Sequence, residues 1–362
     1  MHSTLLAKLA NLLSIPIDIP KQAASIAANV ESTLRPCTAG TTTRLIHAEV
    51  LFGDGERQVV PMQGWQSERS DIPVQRVSNK ADSAVVAGID STCVPIAETA
   101  SGAIFAARVA VAFAYGGKIQ GYVRYGPLAL YLDEEAVFGL FEGCGKPGVA
   151  RLLLTDRALA QRTIRIRLER AVAAQLASEM SEGALLIDGA LMDSAVEAKG
   201  VTMRGIAARA LGRGNHIVGL SKVTMISCLL KLSSILHQYD PPVFVELPKT
   251  PDGTPKAAIG RVTVVRFEGD GIPLRADVLA PRDSGTSDSL SLVWSNDVFA
   301  RGYPETLRMA HHLSVFSRHE AFCVGSQLAK NAGTTPVYAQ DVRRSILGEI
   351  RIARSGDWRG RT

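Results

Sequence analysis

Six apolar residues run without interruption from Ala84 to Ile89, and the run gives way to Asp90-Ser91-Thr92. Such a stretch reads as a buried strand that delivers a carboxylate at its carboxyl end. Ala184 to Ile187 repeats the arrangement and ends in Asp188-Gly189. Between the two lie a long apolar run from Ala103 to Tyr115 and another from Ile119 to Tyr131. The pair Gly116-Gly117 joins them, a turn that makes neighbouring strands antiparallel. From about 158 to 181 the residues Ile164, Leu168, Val172, Leu176 and Met180 recur every four positions, which predicts an amphipathic helix flanked by Arg162, Arg165 and Arg170. A helical stretch over 191–211, a strand over 216–220 and a helix over 224–237 follow, and Pro241-Pro242 closes that unit. Strand patterning returns at 243–247, 258–267 and 274–279. The Ser/Asp-rich stretch 281–291 reads as a mobile loop. Gly302-Tyr303-Pro304-Glu305 then opens a helix, with proline at its first helical position, that carries His311 and His312.

The two ends differ from this core. Residues 1 to about 35 read as helical up to Arg35-Pro36, and Leu5, Leu6, Leu9, Leu12 and Leu13 fall at helical spacing, the pattern of a docking helix rather than a secretory leader. The segment 44–83 is mixed and polar, with Asp54-Gly55 as a hairpin turn, and suits a small β element over the main sheet. Three parts result: an N-terminal extension over 1–83, a core domain over 84–330 and a basic tail over 331–362. With 46% hydrophobic and 21% charged residues in 362, the chain is globular with a sizeable core. No stretch approaches the roughly 20 apolar residues of a membrane span. The formal charge of +5 suits an acidic partner such as nucleic acid but, spread over this length, is a weak signal. Cys37, Cys93, Cys144, Cys228 and Cys323 are odd in number, widely separated and lack CxxC spacing, which indicates neither a disulfide framework nor a zinc site and fits a reducing cytoplasm.

Three antiparallel strands with an acid on the first, a helix bearing Glu169 and a strand ending at Asp188 form the layout of a ribonuclease H-like α/β fold, a mixed sheet flanked by helices. Its first and fourth strands are neighbours about 4.8 Å apart, so Asp90 and Asp188 can share a metal. Glu169 would add an oxygen from the helix, with Glu179 on the same helix as its rival. Carboxylates select Mg²⁺ or Mn²⁺, and the His311 nitrogen tilts the choice to Mn²⁺, with Mg²⁺ the weaker substitute. Two such ions stabilise the attacking water and the departing oxygen of a phosphodiester. His312 points about 100° away around the helix and is read as solvent-facing or packing. Lys222, after the strand over 216–220, is placed to neutralise a phosphate.

The segments Ala87-Gly88-Ile89-Asp90-Ser91, Leu186-Ile187-Asp188-Gly189-Ala190-Leu191, Val218-Gly219-Leu220-Ser221-Lys222 and Gly302-Tyr303-Pro304-Glu305-Thr306-Leu307 through Ala310-His311 resemble, in order and spacing, the successive motifs of the NurA nucleases. The resemblance covers about 84 to 330. It implies a manganese-dependent nuclease acting on DNA ends and single strands, a ring-shaped homodimer, and a HerA-type hexameric ATPase that feeds it DNA. By position it assigns Asp90, Glu169, Asp188 and His311 to the metals and places Tyr303 beside them to orient substrate or water. Two other readings share the sheet: an actin-like ATPase, with Asp90-Ser91-Thr92 and Asp188-Gly189 bracketing a nucleotide, and an inert DNA-clamp or scaffold subunit. No glycine pair follows a late strand to receive an adenosine, and unpaired carboxylates gathered in one place are costly without a cation.

Overall fold

The computed structural model describes residues 73–331, apart from 79–81, 100–101, 141–146, 199, 223–228 and 248–258, together with short strands at Leu45–His47 and Pro336–Tyr338. The expected N-terminal docking helix, the Asp54-Gly55 hairpin and the basic residues from 343 onward lie outside the described residues. In chain order the strands are β1 (Leu45–His47), β2 (Gln75–Arg76), β3 (Val85–Glu98), β4 (Gly102–Tyr115), β5 (Lys118–Asp133), β6 (Ala184–Asp188), β7 (His216–Ser221), β8 (Val243–Glu246), β9 (Arg261–Arg266), β10 (Leu274–Leu279), β11 (Phe299–Ala300), β12 (Tyr303–Pro304) and β13 (Pro336–Tyr338). The helices are α1 (Glu134–Leu140), α2 (Pro147–Thr155), α3 (Arg157–Glu179), α4 (Met203–Gly212), α5 (Leu229–Leu236), α6 (Thr286–Asn296), α7 (Glu305–Ser314) and α8 (Arg318–Asn331). Among the described residues no helix is long and apolar enough to cross a membrane.

The sheet centres on β3. On one side β4 and β5 continue it antiparallel, and on the other β6 and β7 run parallel to it, giving the local order β5-β4-β3-β6-β7. That order, with the parallel strands reached through helices, is the ribonuclease H-like arrangement. β10, β9 and β8 extend it antiparallel beyond β7. The turn at Gly116 and Gly117 takes φ of 55° and 71°, the left-handed pair that a two-residue hairpin requires. Most of the segment 44–83, where a small β element is expected, lies outside the described residues; within it β1 pairs with β13 and β3, and β2 with β8.

Alternation along the strands splits the core into two layers. Ala87, Ile89, Leu185 and Ile187 face one side, against Ile164, Leu168, Val172 and Leu176 of α3, while Val86, Leu186, Val218 and Leu220 face the other, against Leu290 and Val293 of α6 and Leu307 of α7. Each buried valine, leucine or isoleucine among them contributes about 1.5–3 kcal/mol through removal from water. The α3 stripe forms as its four-residue spacing predicts, and Asp156 caps its start by accepting from the Leu159 N–H at 3.0 Å.

Several expectations need correcting. β3 does not end at Asp90: the β-branched Thr92, Val94 and Ile96 carry it on to Glu98 along β4. What ends there is the pairing with β6, whose last rung is Ile89 with Ile187. Asp90 therefore sits at the level where the central parallel strands stop. The stretch 191–202 is irregular, and α4 begins only at Met203, after Thr202 accepts from the Gly205 N–H. The supposed loop 281–291 is largely helix, because its hydroxyls face inward and are satisfied: Thr286 donates to Glu246, Ser289 bonds His216, and Ser291 donates to the Ser78 carbonyl. Pro304 precedes α7 rather than occupying its first turn.

Candidate metal centre

Parity along the strands puts both acids on one face. Asp90 follows Val86 and Gly88, and Asp188 follows Ala184 and Leu186, all on the side of α6 and α7. α7 then brings a third donor. Gly88 admits this helix so closely that a Cβ there would lie 2.7 Å from the Leu307 nitrogen. Its first turn is tied down by buried Asp297, which accepts from Val298 N–H at 2.7 Å, from Thr306 N–H at 3.3 Å and from the Thr306 hydroxyl. Burial pushes the Asp297 carboxyl up to about 7, against those three donors.

The result gathers Asp90, Asp188 and His311, with one ligand atom from each inside a mutual separation of 4.8 Å. His311 Nδ1 lies 2.8 Å from Asp90 Oδ2, and the Ser314 hydroxyl donates to the same oxygen at 3.1 Å. Asp90 is 1% exposed, and its Oδ1 accepts no hydrogen bond, with the Arg165 guanidinium 3.7 Å away. An ionised oxygen so placed is costly unless a cation approaches it. Two carboxylates and an imidazole at this spacing fit a divalent ion.

Asp188 is held from two sides. The Tyr303 hydroxyl donates to Oδ1 at 3.1 Å and Lys222 Nζ lies 3.0 Å from Oδ2, with the ammonium 4.6 Å from the centre of the Tyr303 ring. Burial and then the Asp188 charge push the Tyr303 phenol far above its ordinary range, so it remains a proton donor. Tyr303 is aimed by the two-residue hairpin between β11 and β12, where Arg301 and Gly302 take φ of 55° and 77°. Lys222, which the sequence places to neutralise a phosphate, pairs with Asp188 in this structure. After Asp188 the chain crosses over Gly219, where a Cβ would lie 2.6 Å from the Gly189 carbonyl, and Leu191 N–H reaches Asp277 Oδ2 at 2.9 Å. Arg275 holds that buried Asp277 through Nε at 2.7 Å.

Glu169 is not among the three clustered residues. It belongs to α3 on the opposite face and approaches past Ser91, whose hydroxyl donates to Oε1 at 2.7 Å. Burial pushes its carboxyl up to about 7, with the Arg165 charge and the Ser91 bond opposing. Glu179, the rival on α3, is exposed at the helix end, ten residues and about 15 Å along. His312 is exposed, its ring 6.0 Å from that of His311. Ser314, Asp277 and the role of Arg165 emerge from the tertiary structure. Of these only Arg165 carried a local signal, its four-residue spacing from Glu169.

No family model matches the chain, and no curated protein does. Solved structures similar to it include a NurA nuclease from Sulfolobus solfataricus, 15% identical, with a TM-score of 0.39 over 72% of this chain and 88% of that one. A NurA bound to dAMP and manganese is 11% identical, with a TM-score of 0.37 over 66% and 86%. An endonuclease V from Ciona intestinalis in complex with DNA is 13% identical, with a TM-score of 0.34 over 67% and 87%. NurA nucleases, the family that the motifs resemble, are thus among the structural neighbours. At these scores the likeness is distant, and the fold stands on the strand order given above.

Proposed function

We propose that this chain is a metal-dependent deoxyribonuclease that hydrolyses phosphodiester bonds, with Asp90, Asp188 and His311 holding the metal. The observation that carries this is the buried Asp90 carboxylate, whose Oδ1 accepts no hydrogen bond, gathered with a second carboxylate and an imidazole within 4.8 Å. Manganese, with magnesium as a weaker substitute, would supply Lewis acidity and an activated water when bound. The imidazole favours the former. Tyr303, kept protonated by burial, fixes Asp188 Oδ1 and offers a hydroxyl to orient substrate or water. Lys222 is half-exposed, and its ammonium can turn from Asp188 Oδ2 to a phosphate oxygen. Glu169 stands behind Ser91 as a further carboxylate for the same centre.

The motif resemblance supports DNA as substrate, 5′-3′ exonuclease and single-strand endonuclease activity in DNA repair or defence, a homodimer, and a HerA-type hexameric ATPase as partner. The core domain 84–330 would carry the chemistry, with the N-terminal helix or the basic tail docking the ATPase. Oligonucleotide cleavage in Mn²⁺ tests the central claim. Asp90→Asn and Asp188→Asn should each lose at least about 10²-fold in rate, as expected when a group acting on the transition state is removed, while melting like the parent. Parent-like cleavage by both variants would reject the centre, and nucleotide hydrolysis without cleavage would favour the actin-like reading. Truncation of residues 1–14 or 343–362 should weaken co-purification with the ATPase; normal co-purification of both would move the contact to the core.

A further inference from the structure

Arg165 lies in the first half of α3, outside its apolar stripe, with a side chain 47% exposed. Its Nε donates to the Ser91 carbonyl at 2.9 Å, which pins the guanidinium against β3 beside Asp90. From there Nη2 is 3.7 Å from Asp90 Oδ1 and 3.6 Å from Glu169 Oε1. The Ser91 hydroxyl closes the arrangement by donating to Glu169 Oε1 at 2.7 Å. Two carboxylates that approach from opposite faces of the sheet therefore meet over one cationic head. A divalent ion bridging Asp90 Oδ1 and Glu169 Oε1 would need the same space.

We infer that Arg165 is a built-in counter-cation that occupies the position between Asp90 and Glu169 and limits the resting centre to one divalent ion, held by Asp90, Asp188 and His311. This rests on the metal-centre reading above. A guanidinium does not deprotonate, so an incoming second ion meets a fixed positive charge as well as occupied oxygens. The two-ion arrangement expected from the carboxylate count would require Arg165 to leave, and its half-exposed side chain gives it a route to an arriving phosphate.

Titration calorimetry of the full chain with Mn²⁺, paired with electron paramagnetic resonance, tests this. The parent should bind one equivalent and give the signal of an isolated ion. Arg165→Gln should bind two, with the spin-coupled signal of ions about 4 Å apart. Arg165→Lys, which keeps the charge, should remain at one. Arg165→Gln combined with Glu169→Gln should return to one. Two ions in the parent or in Arg165→Lys, or one in an Arg165→Gln protein that melts like the parent, would overturn the inference. Arg165→Met, of similar stem length, replaces the glutamine variant if that variant folds poorly. Absence of any Mn²⁺ in the parent would instead sink the metal centre itself.

Discussion

Replacing Gly88 by alanine should damage the centre from a position that touches no ligand. The added Cβ would stand 2.7 Å from the Leu307 nitrogen and the Thr306 carbonyl carbon, and 2.8 Å from the Thr306 hydroxyl oxygen. Two of these atoms are backbone, so no rotamer change relieves the clash. Ordinary contact begins at about 3.4 Å, so α7 must withdraw from β3 by about 0.7 Å. The same helix carries His311, whose Nδ1 is now 2.8 Å from Asp90 Oδ2. A shift of that size takes the pair beyond hydrogen-bond range. Overpacking should cost about 1–3 kcal/mol of stability. Misplacement of the reacting groups by nearly 1 Å should cost about 10²-fold in rate. Urea unfolding and Mn²⁺-dependent cleavage measure the two, and Gly148→Ala in α2, where nothing lies within 4 Å, is the control. A Gly88→Ala protein with parent stability and parent cleavage rate would refute the account of how α7 is seated.

Glu169→Gln should slow cleavage while Glu179→Gln behaves as the parent. Burial raises the Glu169 carboxyl to about 7, so near neutral pH it is already partly protonated and the amide should change the melt little, and the reverse order of rates would exchange the two roles. His311→Gln should erase the preference for Mn²⁺ over Mg²⁺, and His312→Ala should retain it; loss of preference in the second but not the first would move the ligand by one residue. The Asp297 carboxyl, raised to about 7 when folded against about 3.9 unfolded, binds its proton more tightly in the native state. Its contribution to stability is therefore fully present below about pH 4 and lost as pH rises towards 7, by up to about 4 kcal/mol. Asp297→Asn should flatten that part of the pH dependence, and equal slopes for variant and parent in urea unfolding at pH 4, 5.5 and 7.5 would refute it.

Local pattern determined much of this protein. Apolar runs ending in acids marked β3 and β6, a four-residue stripe marked α3, and a glycine pair marked the β4–β5 hairpin, because strand and helix periods are written directly in the order of side chains. The same parity placed Asp90 and Asp188 on one face once their strands were adjacent. The Ser/Asp-rich stretch 281–291 deceived, because serines and threonines become helical core only when distant groups such as Glu246 and His216 satisfy them. Tertiary structure alone decided that β6 stops where Asp90 stands, that Gly88 lets α7 bring His311 to Oδ2, and that Asp277 catches the turn after Asp188. It also decided that Glu169 waits across the sheet behind Arg165. Those relations join residues more than seventy positions apart, and no local periodicity encodes the closeness of two segments that meet only when the sheet is assembled.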